Sequence, residues 1–171
     1  MSAGTGGVVT GGLVLRPIRE ADLDAVRRLQ AGSFAALAGD IHSPDQIAAH
    51  VALIMAPDYV GELLSNNLLV AEAPDGALVA TAGWCRVPDD DAVARLRKVF
   101  VAPDRAGQGL GRRMVEAAEQ AARAAGFDRF RVRANANAEA FYARLGYRPV
   151  RREEMPTAGG VALPTVIMVK G

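Results

Sequence analysis

The chain has 171 residues, a formal net charge of +1 and a single cysteine. This length fits one domain that can bury a core of its own, and one cysteine excludes an internal disulfide and a cysteine-rich zinc site. The balance of 20 basic against 19 acidic residues argues against nucleic-acid binding by bulk charge, and no apolar run approaches a membrane span. We therefore expect a cytoplasmic protein with no nucleic-acid or membrane partner.

The first part of the chain predicts a leader, a strand and two helices. Residues 1–12 are rich in glycine and lack hydrophobic periodicity, so we interpret them as a flexible leader before a single domain at 13–171. A short strand is predicted from Leu13. The helix predicted from Glu20 has its acids first and its bases last, as the helix dipole favours. Ser43-Pro44 has the pattern of an N-cap followed by a first-turn proline, which predicts a second helix.

Three strands are predicted next. Residues 67–73 and 77–87 flank the turn sequence Pro74-Asp75-Gly76, which predicts a hairpin. Residues 88–91 are interpreted as a solvated connection, and 93–101 as a third, central strand.

The rest of the chain predicts a long amphipathic helix that ends at Gly126, where a C′ glycine is expected. The elements predicted after it are a strand, a short helix and two closing strands, at residues 130–133, 135–145, 147–152 and 163–169. This order indicates a mixed α/β domain, antiparallel at first and with a parallel step across the long helix.

The turn that opens the long helix has glycine at positions 107, 109 and 111. Because glycine has no Cβ, a ligand can approach this backbone closely, while the first helical N–H groups and the helix dipole face it. Such a turn suits phosphate or pyrophosphate, although a merely sharp turn would use the same glycines. A Walker loop does not fit because Arg112 follows the last glycine, and the spacing also differs from a dinucleotide fingerprint.

This turn belongs to a longer pattern, Leu96–Pro103 continued by Gly107–Arg112. A second pattern follows at Asn135–Tyr147. The first strongly resembles the acetyl-CoA signature of the GNAT superfamily of N-acetyltransferases, and the second is similar to that family's N-x-x-A-x-x-F-Y-x-x-x-G-F/Y segment. The resemblance implies the GNAT fold: a central mixed, mostly antiparallel sheet of about six to seven strands flanked by about four helices. It also implies transfer of an acetyl group from acetyl-CoA to a primary amine by direct attack on the thioester.

The resemblance further implies which residues bind acetyl-CoA. Backbone groups of the central strand would pair with the pantetheine arm, and backbone N–H groups of the turn would hold the pyrophosphate. Asn135 would fix the pantetheine or adenosine end, with a helix N-cap as its alternative role. The implied cofactor-binding residues are Val99, Phe100, Val101, Gly107, Gln108, Gly109, Leu110, Gly111, Arg112 and Asn135. Ala106 departs from the family's usual Gln or Arg, which we expect to alter affinity more than to abolish binding.

Tyr142 is the implied catalytic residue, with core packing beside Phe141 as its alternative role. Its hydroxyl is protonated at neutral pH and would serve the departing thiolate. The attacking amine must be neutral, but residues 93–98 contain no acid where many relatives have a glutamate. The open candidates for the general base are Glu72, Asp91, His42, His50 and water.

The two histidines and the arginines after the long helix complete the candidate residues. His42 and His50 lack the companion ligands of a metal site, so we expect no metal. Arg129, Arg131 and Arg133 alternate on one strand; they are either a polar face or a contact for the 3′-phosphate of CoA or an acidic substrate. We expect a small-molecule or peptide amine as acceptor and a monomer or homodimer as the assembly.

The second helix with its following loop, residues 42–65, and the loop at residues 155–163 should shape the acceptor site. They are mostly apolar, which favours an acceptor with a hydrophobic portion over a polycation. The alternative functions are a non-catalytic acyl-CoA-binding or regulatory module on the same fold, and a nicotinamide or nucleoside-phosphate binder.

Overall fold

One eight-stranded sheet organises the protein, in the order β1-β2-β3-β4-β5-β6-β8-β7. The computed structural model describes residues 7–171. The strands are β1 Val8–Thr10, β2 Leu13–Pro17, β3 Leu69–Glu72, β4 Leu78–Val87, β5 Asp90–Val101, β6 Arg129–Asn135, β7 Arg148–Pro156 and β8 Ala162–Lys170. The helices are α1 Leu23–Leu37, α2 Pro44–Met55, α3 Tyr59–Ser65, α4 Leu110–Ala124 and α5 Glu139–Arg144. The predicted mixed α/β class is confirmed.

The sheet gains its eighth strand from a segment interpreted as leader. Val8–Thr10 pair antiparallel with β2, and the turn between them has Gly11 and Gly12 at positive φ, 58° and 80°. β-branched residues favour this pairing, and glycine allows the tight turn. The leader interpretation is therefore wrong for Val8–Thr10, while residues 1–6 lie outside the described part. The count of six to seven strands is corrected to eight.

A second difference is the fifth helix, α3, which the sequence did not predict. It is seven residues long and buries Tyr59 and Leu63, which stand one helical turn apart. Within residues 7–171, no single helix is long and apolar enough to cross a membrane. The pair of α2 and α3, bent by 70° at their junction, satisfies that test by length and composition alone.

The connection predicted at residues 88–91 is shorter than expected. β5 already begins at Asp90, which pairs with Val87 of β4. The two central strands are therefore joined by a tight turn at Pro88-Asp89, and the acidic residues at 90 and 91 belong to the strand rather than to a loop.

The predicted parallel step is confirmed between β5 and β6, on either side of α4. Their pairing runs only from Val93 opposite Arg129 to Leu96 opposite Val132. Beyond Leu96 the two strands diverge, which leaves a gap in the middle of the sheet.

A β-bulge in β5 lies at this gap. Thr81 of β4 pairs with Phe100, whereas Gly83 pairs with Arg97, so β5 has one residue more than β4 in this stretch. Lys98 has a φ of 58°, a left-handed conformation that is rare for a side chain of this size. The Thr81 hydroxyl donates a hydrogen bond of 2.6 Å to the Lys98 carbonyl and supports this conformation.

The two faces of the sheet carry different residues. On one face, Trp84, Leu96 and Val132 pack with α4 and α5 in the larger core, and a smaller core lies under α1, α2 and α3 on the other. Since successive side chains of a strand point to opposite faces, the arginines of β5 and β6 lie on the face that α4 does not cover. These arginines are Arg95 and Arg97 of β5 and Arg129, Arg131 and Arg133 of β6.

Candidate active site

A cavity of about 250 Å³ lies where β5 and β6 diverge. Leu96, Val132 and Tyr142 line it from the face that packs on α4 and α5, and His50 and Tyr59 line it from the opposite face. The cavity therefore passes through the gap in the sheet. Two ligands can meet in such a cavity from opposite sides of the protein.

The predicted pantetheine-binding strand borders this cavity. Val99 and Phe100 line it, and Val101 is paired with Ala80 of β4. In the described residues no strand pairs with β5 on its β6 side beyond Leu96. This edge offers backbone N–H and C=O groups to an extended, amide-containing ligand, as in strand addition.

The three glycines of the turn have two physical roles. Gly107 and Gly109 have φ values of 74° and 78°, which favour glycine. Gly109 is also the N-cap of α4 and provides no side-chain cap, so the first-turn N–H groups of α4 keep their capacity to bind an anion. Gly111 instead makes room for Phe141, because a Cβ at Gly111 would lie 3.1 Å from the ring. The two sequence motifs thus touch each other at Gly111 and Phe141.

The other predicted residues of the turn lie around this N-terminus. Leu110 is buried in the larger core and begins α4. Gln108 donates a 3.3 Å hydrogen bond from its amide to the Asp104 carbonyl. Arg112 is exposed and pairs with Glu116 at 2.8 Å. The predicted anion contacts here are backbone groups, and the structure puts them at one helix terminus.

Tyr142 both packs in the core and reaches the cavity. Its side chain is 5% exposed and lies edge-to-face with Phe141 and Tyr147, at centroid distances of 5.0 and 5.5 Å. Burial raises the pKa of the Tyr142 hydroxyl above its ordinary value, so the group stays protonated throughout the physiological range. It can donate a proton or a hydrogen bond into the cavity.

Asn135 also lines the cavity, at the end of β6. It occupies the N-cap position of a single 3₁₀ turn at Ala136–Ala138, but its side chain makes no capping hydrogen bond within the described chain. The side chain is therefore available to a ligand.

Of the four side chains considered as a base, His50 alone lines the cavity. Glu72 accepts a 2.6 Å hydrogen bond from Arg16 on β2, and Asp91 is exposed at the start of β5. His42 is 3% exposed and packs against Phe34 at a ring distance of 5.3 Å.

The His50 ring lies against the same Phe34, at 4.0 Å between centroids. Burial, followed by the charge of Lys98, lowers the pKa of His50 to about 4. The imidazole is therefore neutral at pH 7 and can accept a hydrogen bond. Its buried Nδ1 has no hydrogen-bond partner in residues 7–171.

Glu62 and Lys98 were missed in the sequence, and both line the cavity. One Glu62 carboxylate oxygen accepts hydrogen bonds from Lys98 Nζ at 2.6 Å and from Arg97 at 3.0 Å. Burial alone would raise the pKa of Glu62, but the bonds and charges of Lys98 and Arg97 hold it below its usual value. Burial lowers the pKa of Lys98 to about 8, against the opposing effect of Glu62.

Sequence offered one signal for Lys98 and none for Glu62. Lys98 and Lys170 are the only lysines among 20 basic residues, so a lysine on the central strand is unusual for this chain. Glu62 lies on α3, which is too short for its periodicity to be recognised.

A chain of buried polar groups holds Lys98 in place. The Tyr59 hydroxyl donates to Gln30 at 2.7 Å, and the Gln30 amide donates to Thr81 at 3.1 Å. Thr81 in turn donates to the Lys98 carbonyl. The Lys98 ammonium lies 3.9 Å from the centre of the Tyr59 ring, which closes the chain on itself.

Within the described part of the chain, no group of three or more His, Cys, Asp or Glu side chains could hold a metal ion. His42 and His50 both pack against the Phe34 ring, at 5.3 and 4.0 Å between ring centroids. Cys85 is half-buried on β4.

Comparisons with known proteins agree with this geometry. A family model described as an acetyltransferase (GNAT) domain matches residues 65–149. A mycothiol acetyltransferase of Beutenbergia cavernae is 39% identical over 85 residues, which span 48% of this chain but only 28% of that relative.

Two solved structures extend the likeness over most of the chain. A GCN5-related N-acetyltransferase of Rhodopseudomonas palustris has a TM-score of 0.83 at 26% identity, covering 97% of this chain and 99% of that one. The PaiA N-acetyltransferase of Thermoplasma acidophilum, in complex with coenzyme A, has a TM-score of 0.73 at 18% identity, covering 92% and 98%. The second of these shows the fold alone.

The matched segment contains the β-bulge, the glycine turn and Tyr142, and the Rhodopseudomonas structure shares the fold around them. This chain belongs to the GNAT superfamily of acetyltransferases.

Proposed function

We propose that this protein is an N-acetyltransferase that transfers the acetyl group of acetyl-CoA to a primary amine by direct attack on the thioester. The observation that carries the proposal is the cavity through the gap between β5 and β6, with the glycine turn at the neighbouring end of β5. This arrangement offers one side of the sheet to a thioester and the other to an amine.

The residues present fit acetyl-CoA, which supplies an activated acetyl thioester. Backbone N–H groups of the first turn of α4 would hold the pyrophosphate. The free edge of β5 at Val99–Val101 would pair with the pantetheine amides, and Asn135 would contact the same arm. The Thermoplasma structure, which shares the fold, is a complex with coenzyme A.

Tyr142 would serve the leaving group. As the bond between the amine nitrogen and the acetyl carbon forms, the C–S bond breaks and the thiolate takes a proton from the Tyr142 hydroxyl. A thiolate has a conjugate-acid pKa of about 8.5, so a modest donor suffices. Backbone N–H groups at the free edge of β5 would stabilise the negative charge that develops on the carbonyl oxygen.

We assign the role of general base to neutral Lys98, which would accept the proton of the attacking amine. Lys98 lines the cavity, and its pKa of about 8 is closer to neutrality than the pKa of His50, which is about 4. A base with a pKa near the working pH combines a usable neutral fraction with sufficient basicity. His50, neutral at pH 7, would orient the amine by accepting a hydrogen bond.

Turnover with a panel of primary amines tests the proposal, with release of the CoA thiol as the readout. We expect acetylation of at least one amine class, with one thiol released per acetyl transferred. A protein that binds acetyl-CoA in calorimetry but turns over no amine would instead be the non-catalytic module on the same fold.

A further inference from the structure

A second cavity, of about 680 Å³, lies on the sheet face that α4 does not cover. We call it the arginine groove. Its charged lining consists of six arginines and a single acid, Asp89. The arginines are Arg86, Arg95, Arg97, Arg131, Arg133 and Arg151.

Strand register brings the central arginines together. Arg95 of β5 lies directly opposite Arg131 of β6 in the parallel ladder. Arg97 and Arg133 follow two residues further along the same strands and therefore share that face. Like charges in such positions repel one another, so this arrangement costs stability unless an anion compensates it.

The carboxylates of the protein compensate this charge incompletely. Arg133 and Arg151 share Glu153, and Arg131 approaches the exposed Asp89 only to 3.9 Å.

Arg95 lines the groove, and its side chain makes no hydrogen bond or ion pair with any residue from 7 to 171. It is half-buried, and burial followed by the charges of Arg97, Arg133 and Arg131 lowers its pKa. A partly buried guanidinium without a counter-charge is a binding group for an external anion.

The arginine groove adjoins the cavity at the gap between β5 and β6. Arg95, Arg97 and Arg133 line both. The first turn of α4, which would hold the CoA pyrophosphate, belongs to a helix on the other face of the sheet. The arginine groove therefore lies on the acceptor side of the gap.

We propose that the acceptor is an amine that also carries a carboxylate or a phosphate group, bound in the arginine groove by Arg95, Arg131 and Arg133. This inference rests on the proposed N-acetyltransferase function. The anion would lie in the groove while the amine extends into the cavity at the gap. Ile167 and Val169 line the same groove and suit the aliphatic part that joins the two groups.

The same arginines would assist the chemistry. Nearby positive charges disfavour an ammonium ion and so lower the pKa of the bound amine. The bound anion provides the attraction that an ammonium alone would lack. A second copy of the chain is a poorer occupant, because a two-fold contact would bring two arginine grooves face to face.

Matched amine pairs test the proposal. Phosphoethanolamine is compared with ethanolamine for the phosphate, and 4-aminobutyrate with butylamine for the carboxylate, each by kcat/KM with thiol release. We expect the anionic member of at least one pair to be preferred by about tenfold or more, the usual scale of a charge-assisted hydrogen bond. The pair that shows the preference identifies the anion.

The variant R131Q/R133Q should bring that ratio close to one. The matched control is R129Q, on the same strand and face but outside the groove, where Arg129 pairs with Asp90 at 3.4 Å. R129Q should retain the preference. Equal kcat/KM within both pairs, or a preference that R131Q/R133Q leaves intact, would overturn the proposal.

Calorimetric titration of the wild type with phosphoethanolamine and 4-aminobutyrate separates this inference from the function it rests on. If no amine is turned over, the N-acetyltransferase proposal fails, and binding that R131Q/R133Q abolishes still supports an anion site. Turnover of neutral amines without binding of either anionic probe leaves the function standing and rejects the groove.

Discussion

The two sides of the gap in the sheet offer different kinds of group to an anion. On the α4 side, the candidate anion site consists of backbone N–H groups at a helix terminus that opens at Gly109. On the other side it consists of arginine side chains around Arg95. Backbone groups are fixed by the fold and carry no net charge, whereas side chains bring full charges that can be exchanged singly. The first suits an invariant cofactor, the second a particular acceptor.

Gly109→Val should have the largest effect of the substitutions, and it acts on the backbone anion site at the start of α4. A valine at a φ of 78° is strained and would displace the first turn of α4. We expect the Kd for acetyl-CoA to rise by at least about a hundredfold, because the proposed pyrophosphate site consists of backbone groups of that turn. Isothermal calorimetry measures it.

Gly126→Val is the matched control for Gly109→Val. Gly126 follows the other end of α4 with a φ of 99°, and at both glycines a Cβ would meet open space. A control that weakens acetyl-CoA binding to the same degree would attribute the effect to strain in general.

The effect of Tyr142→Phe is the next largest. Removing the hydroxyl should lower kcat roughly ten- to hundredfold, the range for loss of a general acid, with little change in acetyl-CoA affinity. Steady-state kinetics with saturating acetyl-CoA measures it.

Tyr147→Phe provides the comparison for Tyr142→Phe. It removes a hydroxyl that donates a 2.7 Å hydrogen bond to the buried Glu119. That change should lower the melting temperature without a comparable loss of kcat. Equal kcat values for wild type and Tyr142→Phe would return Tyr142 to a packing role.

The pH dependence of kcat/KM tests the assignment of Lys98 as the base. If neutral Lys98 takes the proton, log kcat/KM should rise with pH and level off above about pH 8, where Lys98 has lost its own proton. Glu62 raises the pKa of Lys98, so Glu62→Gln should move the rising limb of the pH profile to lower pH and increase kcat/KM at pH 7. Lys98→Met should remove the limb. A limb at the same pH in Glu62→Gln would exclude Lys98 as its origin.

The smallest expected effect concerns salt. Raising NaCl from about 0.05 M to about 0.5 M should reduce the preference for an anionic amine a few-fold, because the groove arginines are partly solvated. Binding of acetyl-CoA through backbone groups should change less. Calorimetry and kcat/KM over the same salt series compare the two. Equal salt sensitivity would remove the distinction between the two sides.

The side of the gap around the glycine turn and α4 was largely predictable from the sequence, because its signals are local. Glycines 107, 109 and 111 before an amphipathic helix predicted the turn at α4. The apolar stripes and turn residues predicted most of the strands. Val8–Thr10 were missed because three β-branched residues among glycines have no strand pattern until β2 pairs with them.

The side of the gap with Lys98 and the arginine groove was not predictable, because it depends on how β4, β5 and β6 are aligned in the sheet. The bulge at Lys98 is an offset of one residue between β4 and β5, which neither strand encodes alone. The alternating arginines of β6 were visible in the sequence, but their position opposite Arg95 follows only from the parallel pairing with β5.

The hydrogen-bonded chain from Tyr59 through Gln30 and Thr81 to Lys98 has a consequence for protein engineering. It ties three separate segments to the bulge, and Gln30 reaches neither the cavity nor the groove. If a different helix replaced α3, Gln30 would lose its Tyr59 partner and its buried amide would be left unsatisfied. Residues 30 and 59 should therefore be transferred as a pair, whereas the groove arginines can be redesigned one at a time.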